Sequence, residues 1–117
     1  NIEVPDLEVD GDVDNADLLI VGFGSTYGHL RSAMDELRQK GYKVAQTHFK
    51  YLNPLPANTS AVLSKYNKVV VAEQNMGQLA GYLRMKVDNF VPYQFNQVKG
   101  QPFVVEELVT AFEEILK

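Results

Sequence analysis

Residues 18–28 read Leu18-Leu19-Ile20-Val21-Gly22-Phe23-Gly24-Ser25-Thr26-Tyr27-Gly28, and beyond them Leu30, Ala33, Met34 and Leu37 recur at helical spacing. Four consecutive apolar side chains describe a short strand buried on both faces, as in a parallel sheet covered by helices. The glycines that follow allow a sharp turn. Ser25 or Thr26 can cap the helix that starts there, and Gly41 stands where it should stop. Strand, glycine-rich turn and amphipathic helix together open a βαβ unit.

The same alternation continues outward. Residues 43–52 read as a second strand through Val44, Ala45, Phe49 and Leu52, halted by Asn53-Pro54-Leu55-Pro56 because proline lacks the amide donor a ladder needs. Asn58 or Thr59 is placed to cap a short helix carrying Ala61, Val62, Leu63 and Tyr66. Lys68 opens a third strand, Val69-Val70-Val71-Ala72, again apolar on both faces, which ends at the polar stretch Glu73-Gln74-Asn75-Met76-Gly77-Gln78. A helix with Leu79, Leu83, Val87 and Phe90 on one face follows, then a weak strand around residues 95–99. The last helix carries Val105, Leu108, Val109, Phe112, Ile115 and Leu116. The order β-α-β-α-β-α-β-α predicts an α/β fold, a three-layer α/β/α sandwich around a mostly parallel sheet with right-handed crossovers.

Composition narrows the function. The chain of 117 residues is the size of one domain, expected over residues 17–117. It has no cysteine, which excludes a disulfide framework, cysteine-ligated zinc, an iron–sulfur cluster held by this chain and a cysteine nucleophile. Residues 1–17 carry seven acids and no Lys or Arg, whereas the rest carries eight acids and eleven bases, so the overall charge of −4 comes from the leader. Residues 1–16 are expected to be a solvated acidic leader or linker. Asp10, Asp12 and Asp14 alternate as in a calcium loop, but glycine is absent from the sixth loop position and glutamate from the twelfth. The body lacks the basic stripe that nucleic acid requires, and no apolar run has the roughly 20 residues that span a membrane. No signal peptide is expected at the acidic N-terminus. A chain opening on Asn1 rather than Met reads as a piece of something longer.

Ligands and partners of such sheets gather at the carboxyl ends of the strands, where three loops are expected. In the first, residues 22–28, a helix N-terminus offers amides and a positive dipole end to an anion. Its spacing, Gly-x-Gly-x-x-x-Gly, is one residue off the dinucleotide fingerprint, and no acid ends the second strand. The second loop runs over residues 48–56. The third, residues 73–78, opens with a carboxylate straight after a buried strand, so Glu73 must either cap local amides or meet a partner. Asn75 and Gly77 tolerate left-handed backbone angles, and Gln78 starts the next helix. His29 and His48 have no third ligand at metal spacing, and no metal site or catalytic constellation is expected. Tyr51, Leu55, Tyr82 and Met85 are candidates for a protein-facing apolar surface.

Four segments, Gly24-Ser25-Thr26-Tyr27-Gly28, Tyr51-Leu52-Asn53-Pro54-Leu55-Pro56, Ala72-Glu73-Gln74-Asn75-Met76-Gly77-Gln78-Leu79 and Gly100-Gln101-Pro102-Phe103, resemble in order and spacing the C-terminal end of 2-oxoacid:ferredoxin oxidoreductase α subunits, with the 2-oxoglutarate branch nearest. The resemblance covers about residues 16–117. It implies a transketolase C-terminal-like fold in a cytoplasmic parent enzyme that decarboxylates a 2-oxoacid on thiamine diphosphate, reduces ferredoxin through an iron–sulfur cluster and releases an acyl-CoA. It further implies that thiamine diphosphate, magnesium and the cluster are held elsewhere in the parent, whose β subunit and N-terminal part of the α subunit are this domain's partners. The domain itself is then non-catalytic and inactive alone. Gly24, Ser25, Thr26, Tyr27, Gly28, Asn53, Pro54, Glu73, Asn75, Gly77 and Gln78 become candidates for binding or a subunit interface. Two alternatives stay open: an anion- or CoA-binding module built on residues 22–28, and the matching domain of a transketolase or branched-chain 2-oxoacid dehydrogenase. In those relatives an acidic–histidine pair usually follows the third strand; here Gln74 and Asn75 follow Glu73.

Overall fold

The computed structural model of the chain describes residues 6–23, 27–49, 56–73, 78–87, 90–96 and 103–117. Its strands are β1 Val9–Gly11, β2 Leu18–Phe23, β3 Val44–Phe49, β4 Val69–Glu73 and β5 Tyr93–Asn96. Its helices are α1 Tyr27–Gln39, α2 Thr59–Lys65, α3 Gln78–Lys86 and α4 Val105–Leu116. One sheet of five strands runs in the order β1-β3-β2-β4-β5. The four longer strands are parallel, and β1 closes one edge antiparallel to β3. The expected three-layer sandwich is present.

Its two cores follow from strand periodicity. Leu18 and Ile20 point one way, into the layer with Leu30, Met34 and Leu37 of α1 and Leu108, Val109 and Phe112 of α4. Leu19 and Val21 point the other way, to Leu63 of α2 and Leu79, Ala80 and Leu83 of α3. An unbroken apolar run is thus what alternation looks like when both faces are covered. The order of strands puts β3 and β4 on opposite sides of β2, so the chain reverses direction at the carboxyl end of β2.

Helix ends behave partly as expected. Gly41, at φ +97°, ends α1: its amide donates to Arg38 O at 3.0 Å and that of Tyr42 to Leu37 O at 3.1 Å, a Schellman pairing. Asn58 does occupy the N-cap of α2, but its side chain caps nothing. Its amide instead pairs with the backbone of Leu7, Oδ1 accepting from Leu7 N at 2.7 Å and Nδ2 donating to Leu7 O at 3.1 Å. Thr59 turns its hydroxyl back to Pro56 O at 2.7 Å.

Two expectations are corrected. The described part of the acidic leader is not solvated linker: Leu7 is buried, and Val9–Gly11 add a strand to the sheet. Charge alone misleads here, because Asp12 uses its carboxylate on groups far away in sequence, accepting from Val44 N at 3.0 Å and Arg38 Nε at 3.2 Å. The last strand begins at Tyr93 rather than Phe95. Among its described side chains only Phe95 is packed inward, beside Phe103 and Phe112, while Tyr93 and Gln94 are exposed, so the apolar signal in the sequence is displaced toward Phe95.

Candidate functional site at the carboxyl edge of the sheet

The strand registers bring the carboxyl ends together. Phe23 pairs with Phe49 across β2 and β3, and Glu73 with Asn96 across β4 and β5. Of the candidates, Tyr27, Gly28 and Glu73 are described in full and Gln78 by its backbone; Gly24, Ser25, Thr26, Asn53, Pro54, Asn75 and Gly77 lie outside the described residues, as do Tyr51 and Leu55.

Glu73 is the last residue of β4 and is only 5% exposed. It shares the face of Val69 and Val71, beneath α3. Its Oε1 accepts from the amide of Leu79 at 2.7 Å and its Oε2 from that of Ala80 at 3.0 Å. The first amides of a helix have no intrahelical acceptor and carry the positive end of the dipole, so a carboxylate six residues upstream satisfies two of them at once. The carboxylate thus caps local amides, those of α3. Its negative charge also fills the anion position at the start of α3.

The other half of the edge lies on the opposite face, under α1. Gln46 and His48, two apart on β3, share that face. The Gln46 side chain is fully buried; Nε2 donates to Tyr27 O at 3.3 Å, and Oε1 finds no partner among the described residues. A buried acceptor left so costs about 1–3 kcal/mol. The Tyr27 ring stands edge-on to the half-buried His48 ring, with centroids 5.5 Å apart. The Tyr27 hydroxyl donates to Asp10 Oδ2 at 2.9 Å and accepts from Arg31 NH1 at 3.0 Å. Those contacts, the Tyr27 hydrogen bond first and the Asp35 and Asp10 carboxylates behind it, raise the pKa of Arg31 above its ordinary value, so the guanidinium is charged throughout. Gly28 is the second residue of α1 rather than part of a turn, and a Cβ there would meet nothing within 4 Å among the described residues. His29 packs edge-on to Phe103 at 6.5 Å.

Sequence reading did not single out Asp10, Arg31 or Gln46 for this edge. Only the i, i+2 spacing of Gln46 and His48, which puts both on one face of the strand, points to it. Elsewhere on the surface Met85 and Val91 are both 81% exposed and Tyr93 is 47% exposed, whereas Tyr82 is half-buried with the Lys86 ammonium 5.6 Å from its ring centre. No three His, Asp or Glu side chains converge as a metal site among the described residues. Among them, no helix is long and apolar enough to cross a membrane.

Comparison with known proteins agrees with this architecture. Residues 16–108 match the family model of pyruvate:ferredoxin oxidoreductase core domain II. Over 108 residues, 92% of the chain, it is 48% identical to the 2-oxoglutarate oxidoreductase subunit KorA of Mycobacterium tuberculosis. It is 28% identical over 99% of its length to the α subunit of 2-oxoacid:ferredoxin oxidoreductase 1 of Aeropyrum pernix. The solved 2-oxoglutarate:ferredoxin oxidoreductase of Magnetococcus marinus, which has 2-oxoglutarate, coenzyme A and succinyl-CoA bound, superposes on 97% of the chain with a TM-score of 0.88 at 34% identity. The chain spans 16% of the Mycobacterium subunit, 20% of the Aeropyrum subunit and 20% of the Magnetococcus chain. A family match running through all four parallel strands, with a fold that agrees, makes this chain a member of the pyruvate:ferredoxin oxidoreductase core domain II family.

Proposed function

We propose that this chain is a domain of the α subunit of a thiamine-diphosphate-dependent 2-oxoacid:ferredoxin oxidoreductase of the 2-oxoglutarate type. In this reading the domain supports subunit assembly and shapes the surroundings of the active site; the parent oxidatively decarboxylates a 2-oxoacid to an acyl-CoA. The observation that carries the structural role is Glu73. It is the one acid the sequence places at the carboxyl edge, and both its oxygens are engaged by the amides of α3. A carboxylate so held is built to fix a helix, not to move a proton. Tyr27 is engaged in the same way by Asp10 and Arg31.

Two donor sets that such a parent would need are missing from what this chain offers. There is no cysteine for an iron–sulfur cluster, and no group of His, Asp or Glu for a metal among the described residues. We therefore assign thiamine diphosphate, magnesium and the cluster to the rest of the parent, its β subunit and the N-terminal part of its α subunit, which are also the partners of this domain. Ferredoxin and CoA belong to the whole enzyme, and a cytoplasmic location is part of the same reading. Gly24, Ser25, Thr26, Asn53, Pro54, Asn75 and Gly77 are proposed as the residues that bind or contact those partners.

The test is reconstitution. The parent α subunit, with and without the segment matching residues 17–117, is expressed with the β subunit; assembly is followed by size exclusion and activity by 2-oxoglutarate- and CoA-dependent reduction of a viologen dye. Loss of both assembly and activity is the expected result. Retained assembly with reduced activity would place loop 73–78 in substrate or cofactor handling, and an unchanged enzyme would refute the assembly role.

A further inference from the structure

Tyr27 is the junction of the edge under α1. Its carbonyl is held by Gln46, its ring by His48, and its hydroxyl by Asp10 and Arg31. Two of these holders are neighbours in the sheet: Asp10 on β1 is the register partner of Gln46 on β3. Residues directly opposite in an antiparallel pair project to the same face, so both side chains reach the same tyrosine, one at its hydroxyl and one at its carbonyl.

Asp10 can act as a fixed point only if its own strand is fixed, and the strand is tied on both sides of it. Before it, Asn58 pairs with both backbone groups of Leu7, and the Thr47 hydroxyl donates to Glu8 O at 2.8 Å. After it, Asp12 N donates to Val44 O at 3.1 Å and the Asp12 carboxylate takes Val44 N; the Tyr66 hydroxyl then donates to Val13 O at 2.6 Å. Gly11, at φ +91°, lies so close to β3 that a Cβ would stand 2.6 Å from Val44 O.

We propose that residues 7–14 are a strap, and that Asp10 is a positioning residue which, through the Tyr27 hydroxyl, seats the first turn of α1 over the carboxyl end of β3. The inference concerns the chain's own geometry and holds whatever reaction the parent performs. An exposed hydrogen bond by itself contributes little. Its effect here is directional: Gln46 holds the Tyr27 carbonyl and Asp10 the far end of its side chain, so the ring has one place to lie, against His48.

The test is a double-mutant cycle on the 117-residue chain, read by NMR at the His48 ring protons and the Gly28 and His29 amides. The variants are Asp10→Ala, Tyr27→Phe and the pair. Each single change is expected to shift these resonances, and the pair to shift them no further than the larger single change, because Asp10 acts through the hydroxyl that Tyr27→Phe removes. Asp10→Glu should restore part of the shift. Amide exchange at Leu7 and Val44 should be slowed at least about 100-fold over an unprotected amide, and should stay slow in Asp10→Ala, since the strap's other ties remain. Shifts that add in full, or an Asp10→Ala spectrum unchanged at His48 and Gly28, would overturn the positioning role. A Leu7 amide exchanging at the unprotected rate in the unaltered chain would overturn the strap. Both readouts work without any parent activity, so failure of the assembly reading leaves them standing.

Discussion

Removing the Glu73 carboxylate should be among the most damaging single changes outside the apolar core. Each of its two hydrogen bonds joins a charged acceptor to a backbone amide, a class that contributes about 1.5–3 kcal/mol. Taking the lower figure for both gives about 3 kcal/mol for Glu73→Ala. That is a large share of the roughly 5–15 kcal/mol that holds a domain together. Glu73→Gln is the sharper probe, because it keeps the volume and one carbonyl oxygen. Its amide nitrogen then faces a backbone N–H, donor against donor, and the negative charge at the helix start is gone; we expect about 2 kcal/mol. Urea unfolding of the 117-residue chain, followed by circular dichroism, reads both variants. The midpoint should fall while the slope with denaturant stays constant, since the fold and its buried area are retained. If Glu73→Gln unfolds within about 0.5 kcal/mol of the unaltered chain, the carboxylate is not what holds α3.

Three further outcomes follow from the same geometry. Gly11 and Gly41 share a left-handed backbone, φ +91° and +97°, but a Cβ at Gly11 would meet Val44 O at 2.6 Å and Met34 Sδ at 2.8 Å, whereas at Gly41 it meets nothing within 4 Å. Gly41→Ala should therefore cost about 1–2 kcal/mol from backbone strain alone, and Gly11→Ala about 1–3 kcal/mol more, measured as the difference between their thermal unfolding curves. Burial raises the pKa of Tyr66, with Asp14 adding to the rise and Lys65 opposing it. The folded chain thus holds that proton more tightly than the unfolded chain. The contribution is complete below the unfolded value of about 10 and is lost as pH climbs through the higher folded value. Tyr66→Phe should be less stable by about 0.5–1.5 kcal/mol at neutral pH, with the gap to the unaltered chain closing in alkaline urea titrations. Phe112→Ala, in the fully buried layer beside Phe95, should cost about 3–5 kcal/mol, while Met85→Ser, 81% exposed, should change chain stability by less than about 0.5 kcal/mol in the same assay.

The parallel core was readable because its signal is local. Leu18 to Val21 and Val69 to Ala72 announce strands covered on both sides, and Leu30, Ala33, Met34 and Leu37 mark one helix stripe, all of them buried as expected. Glu73 was half-readable: chemistry demanded that a carboxylate after a buried strand find donors, but sequence could not choose between the amides of α3 and a partner. What stayed hidden depends on contacts between distant residues. Asn58 looks like an N-cap from its position before α2, and its use on Leu7 spans 51 positions. The leader's acids read as a solvated run because like charges in sequence give no sign that Arg31, Arg38 and Lys65 will stand beside them in space.

That last misreading explains why the carboxyl edge was seen in part. Residues 24–28 stand out in the sequence for their glycines and for the motif they form, which reads as a turn and as a candidate for binding or a subunit interface. The structure ties Tyr27 of that motif to side chains from two other strands, Gln46 and His48 of β3 and Asp10 of β1. None of those three carries a sequence signal strong enough to be chosen, because each has an ordinary local explanation as a strand polar residue or a leader acid. They become a set only once β1 is laid antiparallel on β3 with Asp10 opposite Gln46. The register of a three-residue edge strand therefore decides which residues meet at the edge where this fold family carries its loops. A slip of one residue would turn Asp10 to the opposite face and leave the Tyr27 hydroxyl to Arg31 alone.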